Sequence, residues 1–324
     1  MGGEQLIMNL DTITCADALA FARGLPAGSV DCVVTSPPYF GLRDYAVPGQ
    51  IGLEDRPAEY VWKLTALFDA ILPALKLTGT LWLNLGDSYV GGGRGGNPPD
   101  SQHQKQATSS GSLTVQHKRL DVPGVRPKSL LGIPWRVAFA LQDAGWIVRS
   151  DIIWAKPNPM PESVKDRPTR AHEYVFLLTK HERYWYDAPA IAEAAVSDGG
   201  GDFSARYVAA QPEHGGDSTG RWSRQARQER GDTRNARSVW TITPEQTPFA
   251  HFATMPQALA EKCIRAGCPP GGVVYDPFMG SGTTALVARR LNRRFIGSEL
   301  NPEYVALANQ RLAKPFAVDM LEVR

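Results

Sequence analysis

A chain of 324 residues with 43% hydrophobic and 21% charged positions can bury a sizeable core, which excludes global disorder. A formal net charge of +2 is too small to decide for or against a nucleic-acid partner. Four irregularly spaced cysteines, Cys15, Cys32, Cys263 and Cys268, indicate neither a disulfide framework nor a zinc site and suit a reducing cytoplasm, so no metal is expected. No apolar run approaches the roughly 18 residues that span a bilayer, and no membrane association is expected. Met1-Gly2 begins like a myristoylation signal, but Leu6 stands where Ser or Thr belongs.

In chain order, the turn Ala27-Gly28-Ser29 feeds an apolar run, Val30 to Thr35, that reads as a buried strand. It stops at Ser36-Pro37-Pro38-Tyr39, where consecutive prolines remove backbone donors. Pro57 to Leu75 carries apolar residues at helical spacing, with Pro57 suited to a first turn. Gly79 to Leu85 is a second strand, and strand, helix, strand is the rhythm of a parallel sheet. From 88 to 128 glycines and polar residues replace the pattern, and a mobile loop insert is expected. A helix at Ile133–Ala144 and strands at Trp146–Trp154 and Glu173–Thr179 follow, the last two expected antiparallel at one sheet edge.

A second polar stretch occupies 190–240, and its portion from Arg221 to Arg237 holds six arginines that could track a phosphate backbone, although a solvated insert has the same composition. The remainder predicts a helix at Pro256–Ala266, a strand at Gly272–Tyr275, a helix at Thr283–Leu291, a strand at Arg294–Glu299 and a closing helix at Pro302–Leu312. One α/β domain over 1–324, interrupted by the two inserts, accounts for this order.

Two of these segments carry chemistry. Asp276-Pro277-Phe278-Met279-Gly280-Ser281-Gly282-Thr283 joins a strand to a helix start, where glycines permit close backbone approach and free helix amides can meet a polar ligand. The spacing is not the dinucleotide fingerprint, and no Lys follows Gly282 as a phosphate-binding loop requires. Glu299, at the end of the next strand, can accept hydrogen bonds from both hydroxyls of a ribose. Ser36-Pro37-Pro38-Tyr39 ends a buried strand, the edge at which open parallel sheets place ligands. There the Ser36 hydroxyl and the Pro37 carbonyl could accept from an amine whose lone pair is delocalised into a base ring. The Pro37-Pro38 pair fixes those acceptors, and the Tyr39 ring could stack on the base.

Together and in this order, the two motifs resemble the beta group of DNA amino-methyltransferases, and blocks at 14–45, 79–90, 130–187 and 238–312 read like that group's. The resemblance implies a Rossmann-like, S-adenosylmethionine-dependent methyltransferase fold, circularly permuted, with a mixed seven-stranded sheet and helices on both faces. It implies a cofactor pocket lined by Asp276, Pro277, Phe278, Gly280, Ser281, Gly282 and Thr283, with Glu299 on the ribose. Thr254, in His251–Pro256, would lie near the methionine end and Asp17 near the adenine, although Ala16 replaces the usual Gly before Asp17. It makes 190–240 a target-recognition insert. Gly86–Tyr89 would flank the target pocket, and Lys156–Pro161 and Asp166–Glu173 would border double-stranded DNA. His172, within the last segment, reads as a structural histidine before a base. Trp135, Trp146 and Trp154 read as core before stacking platforms.

The implied activity is methylation of an exocyclic amine on a flipped base. A cysteine-dependent attack on ring carbon is disfavoured because no cysteine follows a proline. Ser36 is the form that the family associates with cytosine N4, with adenine N6 the alternative. An RNA or protein methyltransferase, and a catalytically silent DNA-binding module, are rivals from other classes. Family analogy also raises a homodimer; no partner endonuclease can be inferred.

Overall fold

The computed structural model describes residues 9–42, 44, 45, 47–91, 120–159, 161–195, 233–245 and 255–314. The strands are β1 Thr12–Cys15, β2 Val30–Thr35, β3 Leu75–Leu85, β4 Ile147–Ala155, β5 His172–Thr179, β6 Glu193–Ala194, β7 Thr233–Arg234, β8 Val239–Thr241, β9 Val273–Asp276 and β10 Arg294–Glu299. The helices are α1 Ala18–Arg23, α2 Pro57–Ile71, α3 Ile133–Asp143, α4 Gln257–Gly267, α5 Thr283–Arg290 and α6 Pro302–Ala313. Two compact units are distinguished, one formed by 1–187 with 238–324 and a small one by 188–237.

The large unit is built on a mixed sheet of eight strands in the order β1-β10-β9-β2-β3-β5-β4-β8. From β1 to β3 every pairing is parallel, β5 is antiparallel to both β3 and β4, and β8 is parallel to β4. Two sequence expectations need correction. The sheet has eight strands rather than seven, and β8 covers β4, so the β4–β5 pair is not the edge. β8 is three residues long with Val239 exposed, too short to show a period. Trp240, buried and stacked on Trp82 at 6.1 Å, is what anchors it.

Sheet order is not chain order. β9 lies beside β2, and β1, the first strand in the chain, completes the far side of β10. Alternate side chains of β3 sort to two faces. Leu81, Leu83 and Leu85 join a core with Tyr60, Leu64, Phe68 and Ile71 of α2 and Val137 and Leu141 of α3. Thr80 and Trp82 point the other way, where the Thr80 hydroxyl donates to the carbonyl of Gly267 at the end of α4. Helices therefore cover both faces. β2, buried along its whole length, is apolar but for Asp31 and Thr35 because it lies inside such a sandwich. Asp31 is its one charge; it accepts from Lys76 at 2.8 Å and from the Val273 amide, tying β2 to β9.

In the small unit β6 and β7 pair antiparallel, and Glu193 holds Arg237 at 2.9 Å and Arg234 at 3.7 Å. Arg221, Arg224, Arg227 and Arg230 lie outside the described residues, as do 92–119, the greater part of the expected Gly-rich loop.

Candidate active site

The two motifs meet. β2 and β9 pair in parallel, so both strands deliver their C-terminal ends to the same edge of the sheet. Thr35, immediately before the tetrapeptide, donates its hydroxyl to Asp276 Oδ1 at 2.6 Å. Thr284 donates to Asp276 Oδ2 at 2.6 Å and the Phe278 amide to Oδ1 at 3.0 Å, so one carboxylate joins the strand end, the Gly-rich turn and the first residues of α5.

Burial raises the Asp276 carboxyl to about 6, and the nearby Glu299 charge adds to this against the three hydrogen bonds. Glu299 is likewise raised, by burial first, while the amides of Asn301 and Gly280 hold its oxygens at 2.9 and 2.8 Å. Gly282 caps α5 with φ of 83°, and a Cβ there would meet Ala308 of α6 at 2.9 Å, so only glycine closes this turn. Arg311 of α6 steadies the same turn through the Ser281 carbonyl and hydroxyl.

One cavity opens at this edge. Of the residues expected to bind a cofactor, Asp17, Asp276, Pro277, Phe278, Gly280, Ser281, Thr283 and Glu299 line it, and Ser36 and Pro38 of the tetrapeptide line the same space. Gly282 shapes the turn from behind. Thr254 lies outside the described residues, and Met255 next to it is on the wall. Asp17 also caps α1, accepting from the Ala20 amide at 2.8 Å.

The composition of the wall selects its ligand. Three carboxylates, Asp17, Asp276 and Glu299, face the cavity, and the described lining residues include no Lys, Arg or His. A nucleotide phosphate would find no cation there and would be repelled by the carboxylates. A nucleoside with free ribose hydroxyls and a positive centre fits, with Phe278, Val47, Ile51 and Pro38 as apolar surface for its base and side chain. S-adenosylmethionine has those properties.

The tetrapeptide is held from behind. The Tyr60 hydroxyl donates to the Pro38 carbonyl at 2.9 Å, and no donor among the described residues reaches that of Pro37. Tyr39 packs its ring on Gly86, where a Cβ would lie 2.5 Å from the ring, and donates its hydroxyl to Glu173 Oε2 at 2.5 Å. Burial first, and the Glu173 charge second, keep that phenol protonated. Asn84, at the end of β3, lies between Ser36, Tyr39 and Glu173. Lys156 completes the network by pairing with the other oxygen of Glu173 while resting 4.3 Å from the Trp154 ring centre.

Asn84 and the roles of Glu173 and Lys156 escaped the sequence reading. The two charged residues fall in stretches expected at the DNA border, and only the antiparallel β3–β5 register brings Glu173 up to Asn84. Asp87 caps α3, accepting from the Gly132 and Ile133 amides at 3.0 Å, so its part is structural. His172 is exposed with its ring edge-on to Tyr174. Trp146 and Trp154 are core, and Trp135 is half-buried against Phe176.

Comparison with known proteins agrees with this geometry. A family model described as DNA methylase, for the N6 and N4 enzymes, matches residues 30–310. The chain is 47% identical over 310 residues to the Type II methyltransferase M.XycI of Xanthomonas campestris pv. cyanopsidis, covering 95% of this chain and 90% of that protein. It is 44% identical to M.Cfr9I of Citrobacter freundii over the same shares, and 45% identical to M.SmaI of Serratia marcescens over 93% of this chain and 90% of that one. Among solved structures, the PvuII DNA methyltransferase (cytosine-N4-specific) superposes with a TM-score of 0.62 at 21% identity, covering 93% of this chain and 86% of the other. A protein of Thermus thermophilus described as a DNA modification methylase, solved with S-adenosyl-L-methionine, gives 0.56 at 23% identity and 93% of each chain. The chain belongs to the DNA methylase family of N6 and N4 amino-methyltransferases, enzymes that depend on S-adenosylmethionine.

Proposed function

We propose that this protein methylates N4 of cytosine at a specific site in double-stranded DNA, with S-adenosylmethionine as methyl donor. The observation that carries the reading is the Thr35–Asp276 hydrogen bond of 2.6 Å, which binds the amine clamp to the cofactor turn and leaves Ser36 on the wall of the same cavity. Ser36, where the adenine-N6 enzymes of the group more often carry Asp or Asn, favours cytosine, and the structurally similar PvuII enzyme is described as cytosine-N4-specific.

In this reading Glu299 accepts from the ribose hydroxyls, Asp276 and Asp17 face the positive end and the adenine side, and the turn from Pro277 to Thr283, with Thr254 nearby, encloses the ligand. The bound cofactor supplies an electrophilic methyl group. The protein supplies acceptors: Ser36 Oγ and the Pro37 carbonyl take hydrogen bonds from the exocyclic amine and draw its lone pair out of ring conjugation. The tyrosine and prolines hold that amine in line, which converts an encounter into a positioned attack. The base is extruded into this pocket, since its amine is out of reach within the duplex.

Residues 190–240 are proposed to read the target sequence, and 88–128 to be a Gly-rich loop insert. Similarity to Type II methyltransferases supports a DNA-modifying role; the cytoplasm is the proposed location, and a homodimer the proposed assembly, to be tested by light scattering.

The test is nucleoside analysis of DNA from cells expressing the protein. N4-methylcytosine is the expected product; N6-methyladenine alone would overturn the choice of base, and unmodified DNA from cells that hold folded, cofactor-binding protein the whole reading.

A further inference from the structure

The amine clamp requires Ser36 to be an acceptor, yet a hydroxyl can equally donate. We propose that Glu173 is a positioning residue that fixes the direction of the Ser36 proton, acting through Asn84. The proposal rests on the reading of Ser36 as an amine acceptor given above.

Hydrogen-bond polarity sets that direction. An ionised carboxylate only accepts. Glu173 Oε2 faces Asn84 Nδ2 at 3.2 Å, and the carbonyl of Tyr174 faces the same nitrogen at 3.0 Å, so both amide protons of Asn84 are taken by acceptors. Its Oδ1 is thereby turned toward Ser36 Oγ at 3.2 Å. An amide oxygen also only accepts, so the hydroxyl proton of Ser36 goes to Asn84 and its lone pairs are what remain for the cavity that Ser36 lines.

The second neighbour of Ser36 reinforces this polarity. Tyr39 Oη has one proton, with Glu173 Oε2 at 2.5 Å and Asn84 Oδ1 at 3.1 Å as its acceptors, and so can meet Ser36 Oγ, 3.4 Å away, only with a lone pair. Both interior partners of Ser36 thus draw its proton inward, and both are oriented by one carboxylate. Lys156 aims that carboxylate by pairing with Oε1.

With glutamine at 173, which can donate as well as accept, Asn84 could turn over and present Nδ2 to Ser36. The Ser36 proton would then face the incoming amine, donor against donor, and polarisation would be lost. Cofactor binding, which in this reading uses Asp17, Asp276 and Glu299, would be untouched.

The experiment is a double-mutant cycle on methyl transfer to a DNA substrate, with cofactor affinity measured in parallel by calorimetry. Glu173→Gln should lower kcat by about 10- to 100-fold, the scale on which supporting partners act, with the cofactor dissociation constant unchanged. In the Ser36→Ala background the same substitution should cost less than about 2-fold, because there is no hydroxyl left to orient. Equal losses in both backgrounds, or no loss from Glu173→Gln alone while Ser36→Ala is impaired, would overturn the positioning role and leave Ser36 as acceptor intact. Full activity in Ser36→Ala would overturn both. If Glu173→Gln fails to fold, Asn84→Ala carries the same cycle with the same outcomes.

Discussion

At the scale of single residues, the charge most out of place is Asp276. Its carboxyl is buried and raised to about 6, against about 3.9 in an unfolded chain, so the native state binds more protons than the unfolded state between those values. The stability this group contributes is therefore complete below about pH 4 and is lost as pH rises through about 6. Asp276→Asn keeps the shape and removes the titration. In urea unfolding, wild type should lose on the order of 2–3 kcal/mol relative to this variant between pH 4 and pH 7. A constant difference between the two proteins across that range would show that Asp276 does not titrate there. A fold that tolerates a destabilised carboxylate on a cavity wall points to a use for its charge. The sequence revealed Asp276 by its position at a strand end before a Gly-rich turn. It could not reveal that Thr35, 241 positions away, would hold it.

At the scale of elements, the end of β3 decides whether the tetrapeptide works. Gly86 follows β3 directly, and the Tyr39 ring occupies the space that any side chain there would need, at 2.5 Å from a Cβ. Gly86→Ala must push the ring, and with it the hydroxyl, off Glu173. The expected outcome is a destabilisation of about 1–3 kcal/mol in thermal or urea unfolding, with a fall in kcat larger than any change in cofactor affinity. Wild-type kcat in this variant would mean that Tyr39 has slack that the packing does not suggest. Long periodic elements were legible in the sequence to within a few residues: β10 at Arg294–Glu299, α2 from Pro57, α3 from Ile133. Short ones were not. β1, four residues, and β8, three residues, exist because β10 and β4 offer them a ladder, and neither carries enough side chains to announce a period.

At the scale of the whole molecule, the polar segment within 190–240 is where charge should meet DNA. Arg234 and Arg237 pair with Glu193, which leaves Arg221, Arg224, Arg227 and Arg230 as candidates to neutralise phosphates. Replacing those four by Gln should weaken DNA binding across all sequences and reduce the slope of log K against log salt by about 0.9 for each phosphate no longer neutralised. An unchanged slope would assign them to the solvated face of the insert. The sequence by itself determined the class of fold, the family and the two motifs that meet at the cavity, because each is written in contiguous residues whose spacing has a direct chemical meaning. Only the tertiary structure decided that Thr35 meets Asp276, that the cavity wall is anionic, and that Glu173 reaches Asn84. Those facts depend on which strands lie side by side, and in a permuted sheet the order of strands in space cannot be read from their order in the chain.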